Sequence, residues 1–530
     1  MGGRLRPPPG VTISMPVSVA VGAAGQEGGG SGATVQALPL VLARMTSAVV
    51  GVVTPLCLAY TLAIEDYGTY KQIFLLCVPL FSTLPFGVVQ SLYYFVPRAE
   101  RPRAALLQTQ LFTLVMGLVG TSLIWIGLPA AAARFSNPAL LSFRGPIAFF
   151  VFFSLASVML ETALTSQGRT RASALTYLGY ELFKSLALVG PVLLGFGLRW
   201  SIAALGVLTL LRLCGSLGLA LSAKGERPSW AGLRTQLVYS LPFGAAMLLD
   251  GPQQAAHQYA VALVTSPALY AVYAVGCFQV PLVNLLYTPT SEVLMVRVGQ
   301  LDRQGLGAQA ARLFREAVQR LALIFIPTSA FLVVSAPWVV RALFGGKFDA
   351  SVPIFRVSVL GIVLASMPLD GLLRARGRTR EIFASYLVKA IATVPLLAVL
   401  VPWLGVQGGI LAWLAAEILG KAMLLRQMPR ALAAGGPAPA LRDWLPVREL
   451  ARLCGATALC AGAVLALATQ VGLAAAAPGG RSGAVLLLAV VGALFAGTLV
   501  PLLQALGLRP IALLAALWPA RRRWGSHAGA

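Results

Sequence analysis

The chain has 530 residues, of which 58% are hydrophobic and only 11% charged, with a mean hydropathy of +0.81. A soluble domain carries about 25% charged residues, so this composition excludes a water-soluble globular protein and points to the bilayer. The formal charge of +24 does not mark a nucleic-acid binder, because the basic residues lie in short connectors between apolar runs and not on one soluble basic face.

Residues 1–35 are rich in Gly, Pro and Ala and read as a disordered cytoplasmic tail. The stretch Val11–Ala24 behind Arg4 and Arg6 is too weakly apolar for a signal peptide. Fourteen apolar segments follow, near 36–63, 69–96, 104–128, 145–166, 173–197, 200–222, 236–264, 269–295, 318–344, 353–374, 383–403, 406–428, 449–474 and 483–506. Each is long enough to cross a hydrocarbon core of ~30 Å at about 1.5 Å per residue. The expected fold is therefore all-α, a polytopic membrane protein with 14 transmembrane helices. Prolines recur inside the spans (Pro55, Pro79, Pro85, Pro191, Pro242, Pro281, Pro289, Pro327, Pro368, Pro395), and each favours a kink. The six cysteines lie in apolar runs without metal or redox spacing, and two histidines are too few for a histidine metal site. No metal and no cofactor are expected.

Two stretches match without a gap at an offset of 209 residues: Glu161-Thr-Ala-Leu-Thr-Ser-Gln-Gly-Arg-Thr-Arg171 and Asp370-Gly-Leu-Leu-Arg-Ala-Arg-Gly-Arg-Thr-Arg380. The register continues, with Tyr177 on Tyr386 and Arg212 on Lys421. A fixed-offset self-match at this scale suggests two homologous helix bundles with a substrate path between them. Connector charge supplies the orientation. Alternate connectors and the two tails hold 29 of the 41 basic residues, the opposite connectors hold eight, and Arg44, Lys184, Arg212 and Lys389 lie within spans. That bias places both termini in the cytoplasm and requires an even number of spans.

A charge near the bilayer centre costs about 2.5–3.5 kcal/mol on insertion scales, so each one marks a candidate site. In the seventh span Asp250, Gln253, Gln254 and His257 fall at i, i+3, i+4 and i+7, one polar stripe on an apolar helix. The stripe either lines a cavity, where Asp250 or His257 titrates during transport, or forms a polar packing seam. Glu181 and Lys184, at i and i+3, and Glu417 and Lys421, at i and i+4, can neutralise each other, whereas the spacing offers Lys389 and Arg212 no opposite charge on their own helices. Glu161 and Asp370 stand two turns before the paired Gly-Arg-Thr-Arg segments, able to reach back to their arginines or to face a cavity entrance. The Gly-Arg-Thr-Arg arginines themselves read as orientation signals.

Several short motifs occur in a fixed order: Ile64-Glu-Asp-Tyr-Gly-Thr-Tyr70, Ser91-Leu-Tyr-Tyr-Phe-Val-Pro97, Tyr239-Ser-Leu-Pro-Phe-Gly244, Tyr270-Ala-Val-Tyr-Ala-Val-Gly276, Leu343-Phe-Gly-Gly-Lys-Phe348 and Leu404-Gly-Val-Gln-Gly-Gly409. Through them residues 36–430 resemble the oligosaccharidyl-lipid flippases of bacterial polysaccharide biosynthesis (Wzx type). Those belong to the superfamily that includes multidrug and toxic-compound extruders and the lipid II flippase. The resemblance implies two pseudo-symmetric six-helix lobes at 36–223 and 236–430, joined by a cytoplasmic linker at 224–235. A second linker at 431–448, two added helices over 449–507 and a basic cytoplasmic tail at 508–530 complete the expected chain. One departure stands in the seventh span, where family members often carry a charge and this chain has Tyr259.

The resemblance further implies export of an undecaprenyl-pyrophosphate-linked glycan unit across the inner (plasma) membrane by alternating access. Polysaccharide polymerase and chain-length proteins are the partners such a protein would have, and H+ or Na+ a coupling ion. A pyrophosphate crossing hydrocarbon needs cations, for which Arg44, Lys71, Lys184, Arg212 and Lys389 are candidates. Sugars need polar or aromatic groups, for which Tyr60, Tyr67, Gln72, Gln90, Gln253, Gln254 and His257 are candidates. Asp250, Glu161 and Asp370 are the candidates for coupling or gating. The rival readings are an ion-coupled drug extruder, which would show an acidic cluster in the first lobe; the lipid II flippase; and a non-transporting scaffold, which would need long cytoplasmic domains. No catalytic residues are expected, since the sequence assembles no acid–base or metal constellation.

Overall fold

The computed structural model describes residues 46, 49–99, 102–225, 227–306, 309–433, 439–470 and 480–507. All of the described elements are helical, as a bilayer requires: without water, each backbone N–H and C=O must be satisfied within its own segment. The first are α1 (Val49–Thr61), α2 (Ile64–Thr83), α3 (Val88–Phe95), α4 (Arg103–Arg134), α5 (Arg144–Ser157), α6 (Leu160–Ser166), α7 (Thr170–Leu193), α8 (Leu198–Ser222), α9 (Trp230–Ala262) and α10 (Pro267–Gly276). There follow α11 (Leu282–Arg303), α12 (Ala310–Phe344), α13 (Val352–Leu364), α14 (Leu369–Ala375), α15 (Thr379–Leu404), α16 (Val406–Leu432), α17 (Leu441–Trp444), α18 (Val447–Gln470) and α19 (Gly480–Ala505).

Among the described residues, ten helical segments are long and apolar enough to cross a membrane, among them Ile64–Phe95, Pro138–Ser166 and Gly346–Ala375. Of the other four expected spans, α1 is the described part of the first. The helices α7 and α9 are long enough, at 24 and 33 residues, but carry the polar residues considered below. The eighth span, expected as one run over 269–295, is divided into α10 and α11 by residues 277–281, where Pro281 has no N–H to continue a helix.

Other spans are broken as well. Pro85 leads into Phe86 and Gly87, at φ 49° and 73°, between α2 and α3. The chain breaks between α5 and α6 just after Ser157, and between α13 and α14 at 365–368. Ser366 stands 209 residues after Ser157, so the repeat includes the break itself. The turns that follow match too: Gly168 and Gly377 take φ 76° and 67°, a left-handed turn that glycine enters without a Cβ clash.

Pro79, Pro191, Pro327 and Pro395 sit inside continuous helices, so those prolines do not break their spans. A proline lacks the N–H that should bond the carbonyl four residues earlier. Side chains from other helices take up several of these carbonyls. Pro79 frees Leu75 O, and Tyr259 on α9 donates its hydroxyl there at 2.6 Å. Pro129 frees Trp125 O, which accepts from Arg144 Nε at 3.0 Å and Nη2 at 2.5 Å. Pro337 frees Val333 O, which accepts from Arg356 Nε at 3.2 Å. Lipid offers no such donor, so these contacts make the prolines tolerable.

The chain gathers into two compact units. The first comprises residues up to Cys277 together with Phe383–Ala416. Its interior includes a cluster of Val89, Leu92, Leu106, Met159, Ala163 and Ala220, drawn from α3 to α8. Gly68 permits the approach of α2 to α10: a Cβ there would stand 1.9 Å from Pro267 O. The second unit comprises Phe278–Ile382 and the residues from Glu417 onward. There α18 and α19 pack on α12 through Val334, Trp338, Cys460, Val464 and Phe495. Trp444 of α17, 1% exposed, lies against Phe314, and Arg315 pairs with Glu449 at 2.7 Å. Large apolar side chains such as Ile126, Leu186, Trp200 and Trp403 are exposed, as befits surfaces that meet lipid tails and not water.

Candidate functional site

In the first unit the polar stripe of α9 packs against α10, α15 and α16. Gln253, buried, donates from Nε2 to Thr393 Oγ1 at 3.3 Å, and Thr393 in turn donates to Lys389 O at 2.8 Å. One turn on, His257 Nδ1 lies 2.6 Å from the Tyr273 hydroxyl, with the Trp413 ring centroid 6.0 Å away. Lys389, at 5% exposure, lies one turn from Thr393 on α15. Three helices thus bring Lys389, Thr393, Gln253, His257 and Tyr273 into a buried polar run. Gln253 bonds Thr393 and His257 bonds Tyr273, which offsets the cost of burying those groups in an apolar bundle; Lys389 joins the run through its backbone carbonyl.

A second run lies on α2. Asn137 donates to Thr69 Oγ1 at 2.9 Å and to Gln72 Oε1 at 2.7 Å, all three buried. Lys71, between Thr69 and Gln72 in sequence, holds its ammonium 5.4 Å from the Tyr67 ring centroid and 5.5 Å from that of Tyr70, a cation–π cradle.

The acids before the twin turns are engaged in both units. In the first, Arg212 Nε donates to Glu161 Oε1 at 3.0 Å while Nη2 bonds Oε2, a two-pronged pair with each side chain 14% exposed. Ser157, at the helix break, lies 3.5 Å from Arg212 Nη1, and the guanidinium sits 4.6 Å from the Tyr180 ring centroid. Lys184 pairs with Glu181 at 2.5 Å and lies 5.7 Å from the same ring. In the second unit Tyr287 donates its hydroxyl to Asp370 Oδ1, and Arg374 pairs with Asp370 at 3.2 Å. Lys421 Nζ reaches the Tyr287 hydroxyl at 3.4 Å and Met367 O at 3.2 Å, and lies 5.2 Å from the Tyr287 ring centroid.

Of the sequence-derived candidates, Gln253, His257 and Lys389 come together in one run, and Glu161 comes together with Arg212. Lys71 stands in a separate cluster, Lys184 is held by Glu181, and Asp370 bonds Tyr287 and Arg374. Gln254 lies on an exposed part of α9. Arg44 lies outside the described residues, and so does the side chain of Asp250, whose backbone belongs to α9. Sequence reasoning passed over Tyr180, Tyr273, Tyr287, Asn137 and Trp413. A tyrosine inside an apolar span was the available signal, since its hydroxyl needs a partner there.

The arrangement offers cations, aromatic faces and hydroxyls inside an apolar bundle, the groups that an anionic, hydroxylated solute would need. Residues 57–353 match the family described as polysaccharide biosynthesis protein, and residues 253–472 match that of the lipid II flippase MurJ. Among solved structures, the lipid II flippase MurJ in its inward closed conformation matches with a TM-score of 0.62 at 11% identity, covering 86% of this chain and 98% of that one. A MOP superfamily transporter from Pyrococcus furiosus matches with a TM-score of 0.51 at 14% identity, covering 75% and 95%. An outward-facing multidrug resistance MATE family transporter gives 0.50 at 15% identity, again covering 75% and 95%. At such identities the likeness is one of fold. No curated protein matches the chain by sequence. The first family match spans more than half of the chain, in keeping with the motifs at 36–430, and the chain belongs to the polysaccharide biosynthesis protein family, a multi-pass membrane protein with the fold of MOP superfamily transporters.

Proposed function

We propose that the protein is a flippase that moves an undecaprenyl-pyrophosphate-linked oligosaccharide unit across the cytoplasmic membrane, with both termini in the cytoplasm. Its two lobes, 36–223 and 236–430, are joined at 224–235 and carry 449–507 as an appendage. The observation that carries the reading is the buried run of Lys389, Thr393, Gln253, His257 and Tyr273 in a chain of this family. The lysine suits the pyrophosphate, and the amide, imidazole and hydroxyls suit sugar hydroxyls. Lys71 with its two tyrosines is the next candidate for the path. Asp250, Glu161 and Asp370 serve coupling to H+ or Na+ or gating, and a polymerase and chain-length protein receive the product. The test is deletion of the gene with restoration by wild-type or Lys389→Ala protein. The reading requires loss of one surface polysaccharide with build-up of its lipid-linked unit inside the cell. Normal export on deletion would sink it.

The match of residues 253–472 to the lipid II flippase family supports a second reading, in which the carried unit is lipid II. Rescue of cells depleted of their lipid II flippase would favour that substrate, and loss of a surface polysaccharide in otherwise healthy cells would favour the first.

A further inference from the structure

The two Gly-Arg-Thr-Arg turns share a sequence and a backbone but not a charge balance. In the second copy Arg376 and Arg378 are neutralised within the protein, while Arg380 is exposed. Arg376 pairs with Asp302 at 3.0 Å, and Arg378 pairs with Glu381 at 3.1 Å while also donating to Arg430 O at 3.2 Å. In the first copy the position matching Arg376 is Gln167, and the position matching Glu381 is Ala172. Arg169, the counterpart of Arg378, is exposed and makes no ion pair among the described residues. The acids of residues 102–225 are Glu161 and Glu181, already held by Arg212 and Lys184.

Arg169 instead faces a cavity of about 470 Å³, which it lines together with Lys224 from the end of α8. Ser166, Gln167 and Ser222 add polar groups, and Val96 and Leu219 supply an apolar wall beside the α3–α8 cluster. Among the described residues that line the space there are two cations and hydroxyls and no carboxylate. The volume suits a whole headgroup better than one ion, being within the roughly 300–1,000 Å³ of small-molecule sites.

We propose that this cavity binds the phosphate of an anionic lipid headgroup, on the face that the orientation assigned under the proposed function makes cytoplasmic. Arg169 and Lys224 take the phosphate oxygens, the serines and Gln167 take the glycerol hydroxyls, and the Val96–Leu219 wall meets the start of the acyl chains. Charge complementarity is the reason: among the described residues the counterion that holds Arg378 has no match at Arg169, which stands with Lys224 beside a cavity open to the outside.

The test is native mass spectrometry of the full-length protein released from mixed micelles of phosphatidylglycerol and phosphatidylcholine, counting retained lipids. Wild type should retain phosphatidylglycerol preferentially. An R169A/K224A variant should lose about 30-fold of that preference, two surface basic residues each being worth on the order of five-fold. Ala172→Glu, which restores the acid of the second copy at i+3 of Arg169, should lower the preference about five-fold on the same scale. Arg378→Ala should leave it unchanged. The proposal is overturned if R169A/K224A keeps the wild-type preference while monodisperse. It is equally overturned if wild type shows no preference, or if inorganic phosphate displaces the lipid at matched concentration, which would assign the site to a free anion. Export of glycan is not read in this assay, so its outcome is separable from that of the flippase test.

Discussion

Arg212 grips Glu161 with two prongs of its guanidinium across 51 residues of chain, immediately beside the break between α5 and α6. Both side chains are largely sequestered, and removing one partner from a buried pair costs about 3–5 kcal/mol because the other charge is stranded. Glu161→Ala should therefore destabilise the protein by roughly 3 kcal/mol. The apolar double replacement E161L/R212M should recover most of that loss. Thermal unfolding of the purified variants in one detergent checks both, and equal melting of E161A and wild type would refute the pairing.

In the second unit a tyrosine hydroxyl lies between the acid and the cation. Tyr287→Phe should cost about 1.5–3 kcal/mol, the worth of a hydrogen bond to a charged group, because Asp370 loses one of its donors and Lys421 an acceptor. Tyr180→Phe should be nearly silent, since Arg212 contacts the face of that ring. Reversal of this order in a stability assay would contradict the geometry.

The Tyr259 hydroxyl covers the carbonyl that Pro79 leaves open. Tyr259→Phe should destabilise by about 1–3 kcal/mol, the penalty of an unsatisfied buried carbonyl. In a Pro79→Ala background the restored N–H can bond Leu75 O, and the same change should be close to neutral. A double-mutant cycle measures the difference, and strict additivity would count against this role.

If Lys389 meets the pyrophosphate, charge matters more than shape. Lys389→Ala should slow appearance of the surface glycan by at least about tenfold, the equivalent of one charge-assisted hydrogen bond. Lys389→Arg should retain most of the rate. Membrane abundance of each variant, measured alongside, separates transport from insertion.

The repeat was legible because Glu161, Gly168 and Arg212 each have a counterpart 209 residues on, and the second copy folds into a matching break and turn. Helical spacing also brought out Glu181 with Lys184, since i, i+3 neighbours share a face. It could not reveal that Glu161 reaches Arg212, or Gln253 reaches Thr393, because these meet between helices far apart in sequence. The prolines alone did not say which helices continue through them. Pro79 and Pro191 kept their helices whole, and Pro79 does so with the help of Tyr259, a donor invisible to any local rule. The interruption of the eighth span at 277–281 ends at Pro281, one of the prolines that the sequence marks for a kink, but apolar composition did not set its extent.

Trp444 gives the C-terminal helix pair an optical reporter. Its indole is enclosed next to Phe314, as that of Trp338 is elsewhere in the unit, whereas Trp125, Trp200, Trp230 and Trp403 are exposed. Emission from an enclosed indole is blue-shifted and shielded from aqueous quenchers. The difference spectrum between wild type and Trp444→Phe therefore isolates the short helix that leads into α18. Undocking of that helix would register as a red shift and new quenching by iodide, without any label being attached.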